Sequence, residues 1–403
     1  MRLLTVSLLL LAAVAIAQPQ TVTDADGTVR VINPETPLGG DVTVPLTELW
    51  RAGGDDPDLL IGAIADLTTA PDGRVYALDG QLSEVQVFAP DGAHEATLGR
   101  QGEGPGEFMN GSRLFWTPRG ELAVLQGWPG KIVLLQTDGT PGPNYALPYD
   151  GGGFQIVSRG AAVADYLVLS GSAWAERDGQ QMRLAYLRAY GMDGAPVAVY
   201  HEAQQPQAFG GFAFVERDYR DFQARWTAAV DGRVAAALDF DAYRIHVWNA
   251  DGSLDRIIER PGYAPAPRSD EEHDAFQEAY DMMIQWNPGS TFAVSETHEA
   301  VTQLAFRDDG TLWVQSGNAQ WRAGENEFTS YDVYDREGRF ARRVHLAGGD
   351  DPVDDGVFLG DDRVYVVTDM LGSLLASFGL EPGEELAPVS IIAYKADLSG
   401  AVK

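Results

Sequence analysis

Apolar and polar residues alternate along this chain in short bursts, and most bursts stop at a tight glycine turn. RVYALD (74–79), ELAVLQ (121–126), RVAAALD (233–239), TLWVQS (311–316) and RVYVVTD (363–369) each follow a short polar turn. EVQVFAPDG (84–92), KIVLLQTDG (131–139), YLRAYGMDG (186–194), RIHVWNADG (244–252) and SYDVYDREG (330–338) each run into one, and IIAYKADLSG (391–400) is a looser copy. Period-two bursts rich in Val, Ile, Leu and Tyr predict strands. Glycine at the turns supplies positive φ without steric cost.

The turns pair: Asp72 with Asp91, Arg119 with Asp138, Arg159-Gly160 with Asp193, Asp231 with Asp251, Asp309 with Glu337, and Asp361 with Ser399. Each pair brackets four strands, a to d, in about six copies. That is the pattern of an all-β, six-bladed β-propeller. The last copy has no room for a fourth strand. AGGDDP follows VTVPLTELWR (42–51) and recurs after RRVHL (342–346), the d strand of the fifth copy. Residues 42–51 are therefore expected to close the ring as the outer strand of the last blade.

The a–b and c–d connections are tight. The d–a and b–c connections are read as long, at 100–111, 172–181, 200–224, 260–300, 316–327 and 369–388, and should crowd one face. The longest carries a capping box, Ser269 to Glu272, followed by Phe276, Ala279, Tyr280 and Met283. This predicts one helical insertion, about 266–287, on the loop face.

Composition narrows the setting. Arg2, an apolar run from Leu3 to Ile16 and Ala15-Ile16-Ala17 read as a secretory leader over 1–17. An extension over 18–40 and the propeller over 41–403 would follow, exported to the periplasm or beyond. There is no cysteine, so disulfides, thiol catalysis and cysteine-held metals are excluded. Net charge is −30, which argues against nucleic-acid and anionic-membrane partners. No membrane insertion is expected of the mature chain, which is read as a monomer. The stretch 71–108, PDGRVYALDGQLSEVQVFAPDGAHEATLGRQGEGPGEF, resembles an NHL-type repeat and, more closely, the secreted bacterial six-bladed β-propellers, with their G-x-x-G-x-G-P-G-x-F link at Gly99 to Phe108. AYRIHVWNADG (242–252) fits the same group. The resemblance implies the fold and export but no single activity: some relatives bind proteins, and others are lyases or lactonases with a metal in the channel.

Six residues before the first turn of each blade stand Asp66, Arg113, Gly153, Arg225, Gln303 and Asp355. Strand alternation places the polar five, Asp66, Arg113, Arg225, Gln303 and Asp355, at the channel mouth on the loop face. Such a ring suits a zwitterionic or carboxylate-bearing ligand, with Arg113 or Arg225 as the bidentate anchor. Trp128, Trp174, Trp286 and Trp321, with Tyr219, Tyr243 and Tyr263, are loop-face candidates for stacking on a ligand. No catalytic motif stands out; metal and cofactor content stay open. His246 and His345 sit on outer strands and are read as surface or packing residues. The expected function is a binding module for a protein, peptide or glycan on the loop face. The alternative is a channel-centred lyase or lactone hydrolase, metal-assisted.

Overall fold

A computed structural model describes residues 18–398 and 400, apart from 128–129, 144, 146–153, 208–212, 286–288, 325, 349–353, 361, 371 and 374–387. The leader at 1–17 lies outside the described residues. The strands form six blades around a central channel. Blade 1 is Ile64–Thr69, Val75–Asp79, Glu84–Phe88 and His94–Leu98. Blade 2 is Gly111–Trp116, Leu122–Gln126 and Lys131–Leu135, with bridges from Leu135 to Pro141 and from Ile132 to Tyr145 marking its outer edge. Blade 3 is Phe154–Val163, Tyr166–Arg177, Gln180–Gly191 and Pro196–Pro206. Blade 4 is Trp226–Ala228, Val234–Ala236, Arg244–Trp248 and Leu254–Glu259. Blade 5 is Val301–Phe306, Leu312–Ser316, Glu327–Tyr334 and Phe340–Ala347. Blade 6 is Gly356–Leu359, Arg363–Val367, Ser390–Lys395 and Thr47–Gly53.

The last of these strands closes the ring: Thr47–Gly53 pairs antiparallel with Ser390–Lys395. Trp50 lies between blades 6 and 1, donates its Nε1–H to the Pro90 carbonyl at 3.1 Å and stacks near Phe88. A Cβ on Gly92 (φ +92°) would stand 2.6 Å from the Trp50 ring, so this turn needs glycine for conformation and for space. Asp41–Pro45 instead pairs in parallel with the outer strand of blade 5, and Val29–Ile32 does the same on blade 4. Asn33 stitches the two blades together, donating to the Gly338 carbonyl and accepting from Phe340 N–H.

Each blade-to-blade contact holds its own apolar cluster, from Leu78, Val87 and Leu122 between blades 1 and 2 to Trp50, Val75 and Ile391 between 6 and 1. The b strands are buried on both faces. A blade cannot shield both of its faces alone, so the ring folds as a unit.

Two turn assignments need correction. In blade 3 the a–b turn is Ala164-Asp165, not Arg159-Gly160, because the first strand runs on to Val163. In the same blade 172–181 is not a loop: the b and c strands continue into a hairpin at Asp178-Gly179. The predicted insertion is α2, Asp270–Ile284, with both halves of the capping box formed. Two shorter helices, α1 (Glu216–Tyr219) and α3 (Gly317–Trp321), lie in the same face's connections.

Candidate functional site

The a strands enter from the loop face, so their first residues surround the channel mouth. The structure ties most of the predicted ring into the wall. Asp66 accepts from Leu114 N–H of the neighbouring blade at 2.8 Å and from Leu67 N–H. Burial raises its pKa, against the pull of Arg113. Arg113 donates to the Ala65 and Ser112 carbonyls. Gln303 donates to the Val357 carbonyl and accepts from Tyr331 Oη–H. Asp355 accepts from Asp369 N–H. Asp66, Arg113 and Gln303 thus bridge adjacent inner strands, whereas Asp355 bonds within its own blade. Gln303 also lines a narrow channel cavity of about 210 Å³.

Arg225 is different. It is 3 % exposed, and none of its three guanidinium nitrogens has a hydrogen-bond partner. Its nearest aromatic face is Phe240, 5.8 Å away. Burial lowers its pKa, with Glu299 the strongest opposing charge. Its backbone is pinned: its N–H reaches the Phe222 carbonyl, and its carbonyl accepts from Ala237 N–H. The preceding residues form a short 3-10 turn, Phe222–Ala224, capped by Asp221.

Arg225 and Arg113 open onto one loop-face cavity of about 750 Å³. Asp66, Gln303 and Asp355 are not among its lining residues. Arg183, Arg220 and Glu299 are, and the sequence reading did not single them out. Arg183 pairs with Asp221 at 2.7 Å, and Arg220 with Glu299 at 2.5 Å. One wall is a polar lattice in which Gln223 bonds Ser158, Ser172 and Asp221. The apolar side is Trp174, Phe214 and Tyr219. Trp174 stacks on Phe154 at 4.5 Å and donates to Gln207.

A missed ring residue is Arg159. With the turn at Ala164-Asp165, counting back six from Asp165 lands on Arg159 rather than Gly153, which lies outside the described residues. Arg159 donates to the Ala224 carbonyl, and burial in the channel wall, helped by Arg113, pushes its pKa down to about 10.

The other aromatic candidates separate. Trp128 and Trp286 lie outside the described residues. Trp321 stacks on His298 at 4.3 Å and meets Phe276 of α2. Tyr243 and Tyr263 flank Arg260, and Tyr243 donates to Asp332. These three pack the loops rather than face the cavity. His246 lies against Trp248 and His345 bonds Glu327.

A chain of buried charge joins α2 to the cavity. Glu216 is fully buried and accepts from both Arg268 Nη atoms, Ser295 N–H and Tyr280 Oη–H. Tyr280 of α2 stacks on Phe292 at 3.7 Å. Arg220 lies 3.9 Å from Glu216 and hands the chain on to Glu299. Among the described residues, no three of His, Asp and Glu converge to hold a metal ion. None of the described helices is long and apolar enough to cross a membrane.

No protein-family model matches this chain, and no curated protein matches it. Solved structures do. A Bacteroides fragilis protein named, by inference, as exported aligns with TM-score 0.47 at 13% identity, covering 90% of this chain and 97% of that one. Regucalcin from Agrobacterium tumefaciens aligns at 0.42 and 11% identity, covering 88% and 96%. A gluconolactonase from Xanthomonas campestris aligns at 0.42 and 10%, covering 94% and 95%. None of these likenesses carries an activity over to this chain.

Proposed function

We propose that this six-bladed propeller is an exported binding module whose loop-face cavity takes a ligand through one anionic group, with Arg225 as the anchor. The observation that supports this reading is a buried guanidinium without a hydrogen-bond acceptor. A buried polar group left unpaired costs free energy, and native structures retain few of them. Its partners in the cavity do not use it: Arg183 and Arg220 already hold carboxylates, and Arg113 holds carbonyls. A guanidinium pairs best with a carboxylate, by two parallel hydrogen bonds.

The cavity is concave and of small-ligand size. This favours the end of a peptide or glycan, or a small acid, over a flat protein surface. The A-x-A leader supports export. The metal-assisted lyase or lactonase reading ranks second, since the described residues offer no converging donor set.

Isothermal titration tests the proposal. Peptides with a free C-terminal carboxylate and hexuronate oligosaccharides are compared with their amides and methyl esters. Arg225→Ala should weaken binding of the acid forms by about 2–4 kcal/mol, the scale of truncating a buried charge partner. Equal binding by the blocked forms, or by the variant, would sink the assignment.

A further inference from the structure

Arg225 is not the only unsatisfied charge in this cavity. Glu299 is 2 % exposed. Its Oε1 accepts from Arg220 at 2.5 Å, and its Oε2 has no hydrogen-bond partner. Both residues line the same space, one a buried donor and the other a buried acceptor. Opposite charges so placed would be expected to collapse onto each other. Here they stay apart, for the Arg225 nitrogens and Glu299 Oε2 share no hydrogen bond.

Arg225 is held by Phe222 and Ala237. Glu299 is held from both sides. The next residue's N–H reaches the Phe240 carbonyl, and the Glu299 carbonyl lies so close to Gly317 that a Cβ there would stand 2.0 Å away. The carboxylate is held as well, by Arg220. That residue is fixed in turn by its N–H to the Glu216 carbonyl. Both residues line one cavity, and no hydrogen bond joins the Arg225 nitrogens to Glu299 Oε2.

We infer that the ligand is a zwitterion, a free α-amino acid, whose carboxylate meets Arg225 and whose ammonium meets Glu299. The inference rests on the reading of Arg225 as an anion anchor. A ligand with only a carboxylate leaves Glu299 Oε2 unpaired, and one with only an amine leaves Arg225 unpaired. A zwitterion satisfies both and adds no net charge to the cavity. An amino acid carries its ammonium donor and its carboxylate acceptor on one carbon, so one small ligand can offer both to residues that line the same cavity. The side chain would lie against Trp174, Phe214 and Tyr219, which favours aromatic or large apolar amino acids.

The experiment begins with thermal-shift measurements on the full mature protein with each of the twenty standard L-amino acids. The best binder is then titrated beside its N-acetyl and carboxamide forms. The free amino acid should bind at least about 30-fold more tightly than either blocked form, the lower end of the cost of leaving one buried charge unpaired. Glu299→Gln should erase the preference over the N-acetyl form while keeping carboxylate binding. The comparison of ligands on the unaltered protein carries the test even if that variant does not fold. If the N-acetyl form binds as tightly as the free amino acid, and both depend on Arg225, the zwitterion is overturned and the anion anchor stands. If no amino acid binds but a hexuronate or another carboxylate does, the outcome is the same. If no carboxylate of any kind binds, both readings fall.

Discussion

Replacing Arg225 with methionine should make the free protein more stable while removing its ligand binding. The guanidinium has no acceptor, and leaving such a group buried costs about 1–3 kcal/mol, more for a charged one. Against this stand the Phe240 ring at 5.8 Å, worth about 0.5–1 kcal/mol, and the attraction of Glu299. Methionine is of similar length, fills the space and leaves no donors unmet. The balance is a gain of roughly 1–2 kcal/mol, within the range seen when buried charges give way to apolar side chains of similar volume. For a 403-residue chain the unfolding entropy is about 0.8 kcal/mol/K, so the melting temperature should rise by about 1–3 °C. Urea denaturation and calorimetry without ligand measure it. Arg113→Met is the contrast. Its Nη1 bonds two backbone carbonyls, so that variant should lose about 1–2 kcal/mol. If Arg225→Met instead lost more than about 1 kcal/mol, the guanidinium would be satisfied in the free protein, and the case for a vacant anchor would fail.

Two further outcomes test the fold and its pH response. Trp50→Ala removes an almost fully buried indole from the joint between blades 6 and 1 and should cost about 3–5 kcal/mol in chemical denaturation; a loss under about 1 kcal/mol would show that ring closure does not rest on this strand. Burial, helped by Arg268, pushes the His298 imidazole down to about 4, although Glu272 pulls the other way. The unfolded value is about 6.5. Between these values the unfolded chain binds a proton that the folded one refuses, so stability should fall as pH drops from about 6.5 to 4, by up to about 1.4 kcal/mol per unit. His246, also pushed to about 4 by burial, adds to the same slope. His298→Phe, which keeps the stacking on Trp321, should flatten the slope; an unchanged slope would place the titration elsewhere.

Local chemistry decided the blades. Period-two strands and Asp-Gly turns need only near neighbours in the chain, and the structure shows one device at Asp72, Asp91, Asp138, Asp193, Asp231, Asp251 and Asp309. Asp72 takes Arg74 N–H, and Gly73 returns its own N–H to Ala70. The repeated AGGDDP carried the one long-range fact visible in the residues, the closing strand at Thr47–Gly53. The failure in blade 3 is local too. Arg159-Gly160 looks like a turn, but the strand passes through it to Ala164-Asp165, because pairing along a long hairpin outweighs one glycine.

The site was only partly legible. A common offset from the turn found Arg113 and Arg225, because strand periodicity fixes which a-strand residues face inward. It could not tell a bonded residue from an unbonded one. Whether Arg113, Gln303 or Arg225 is left without a partner depends on carbonyls of the neighbouring blade, some fifty residues away in sequence for Arg113 and Gln303. Arg183, Arg220 and Glu299 come from a c strand and two loops with no shared spacing. Only the packing of blades 3, 4 and 5 against one another brings them all beside Arg225. The sequence determined the repeating unit and its count; the tertiary structure decided which charges were paired and which were left open, because pairing is a matter of distance across blades rather than of order along the chain.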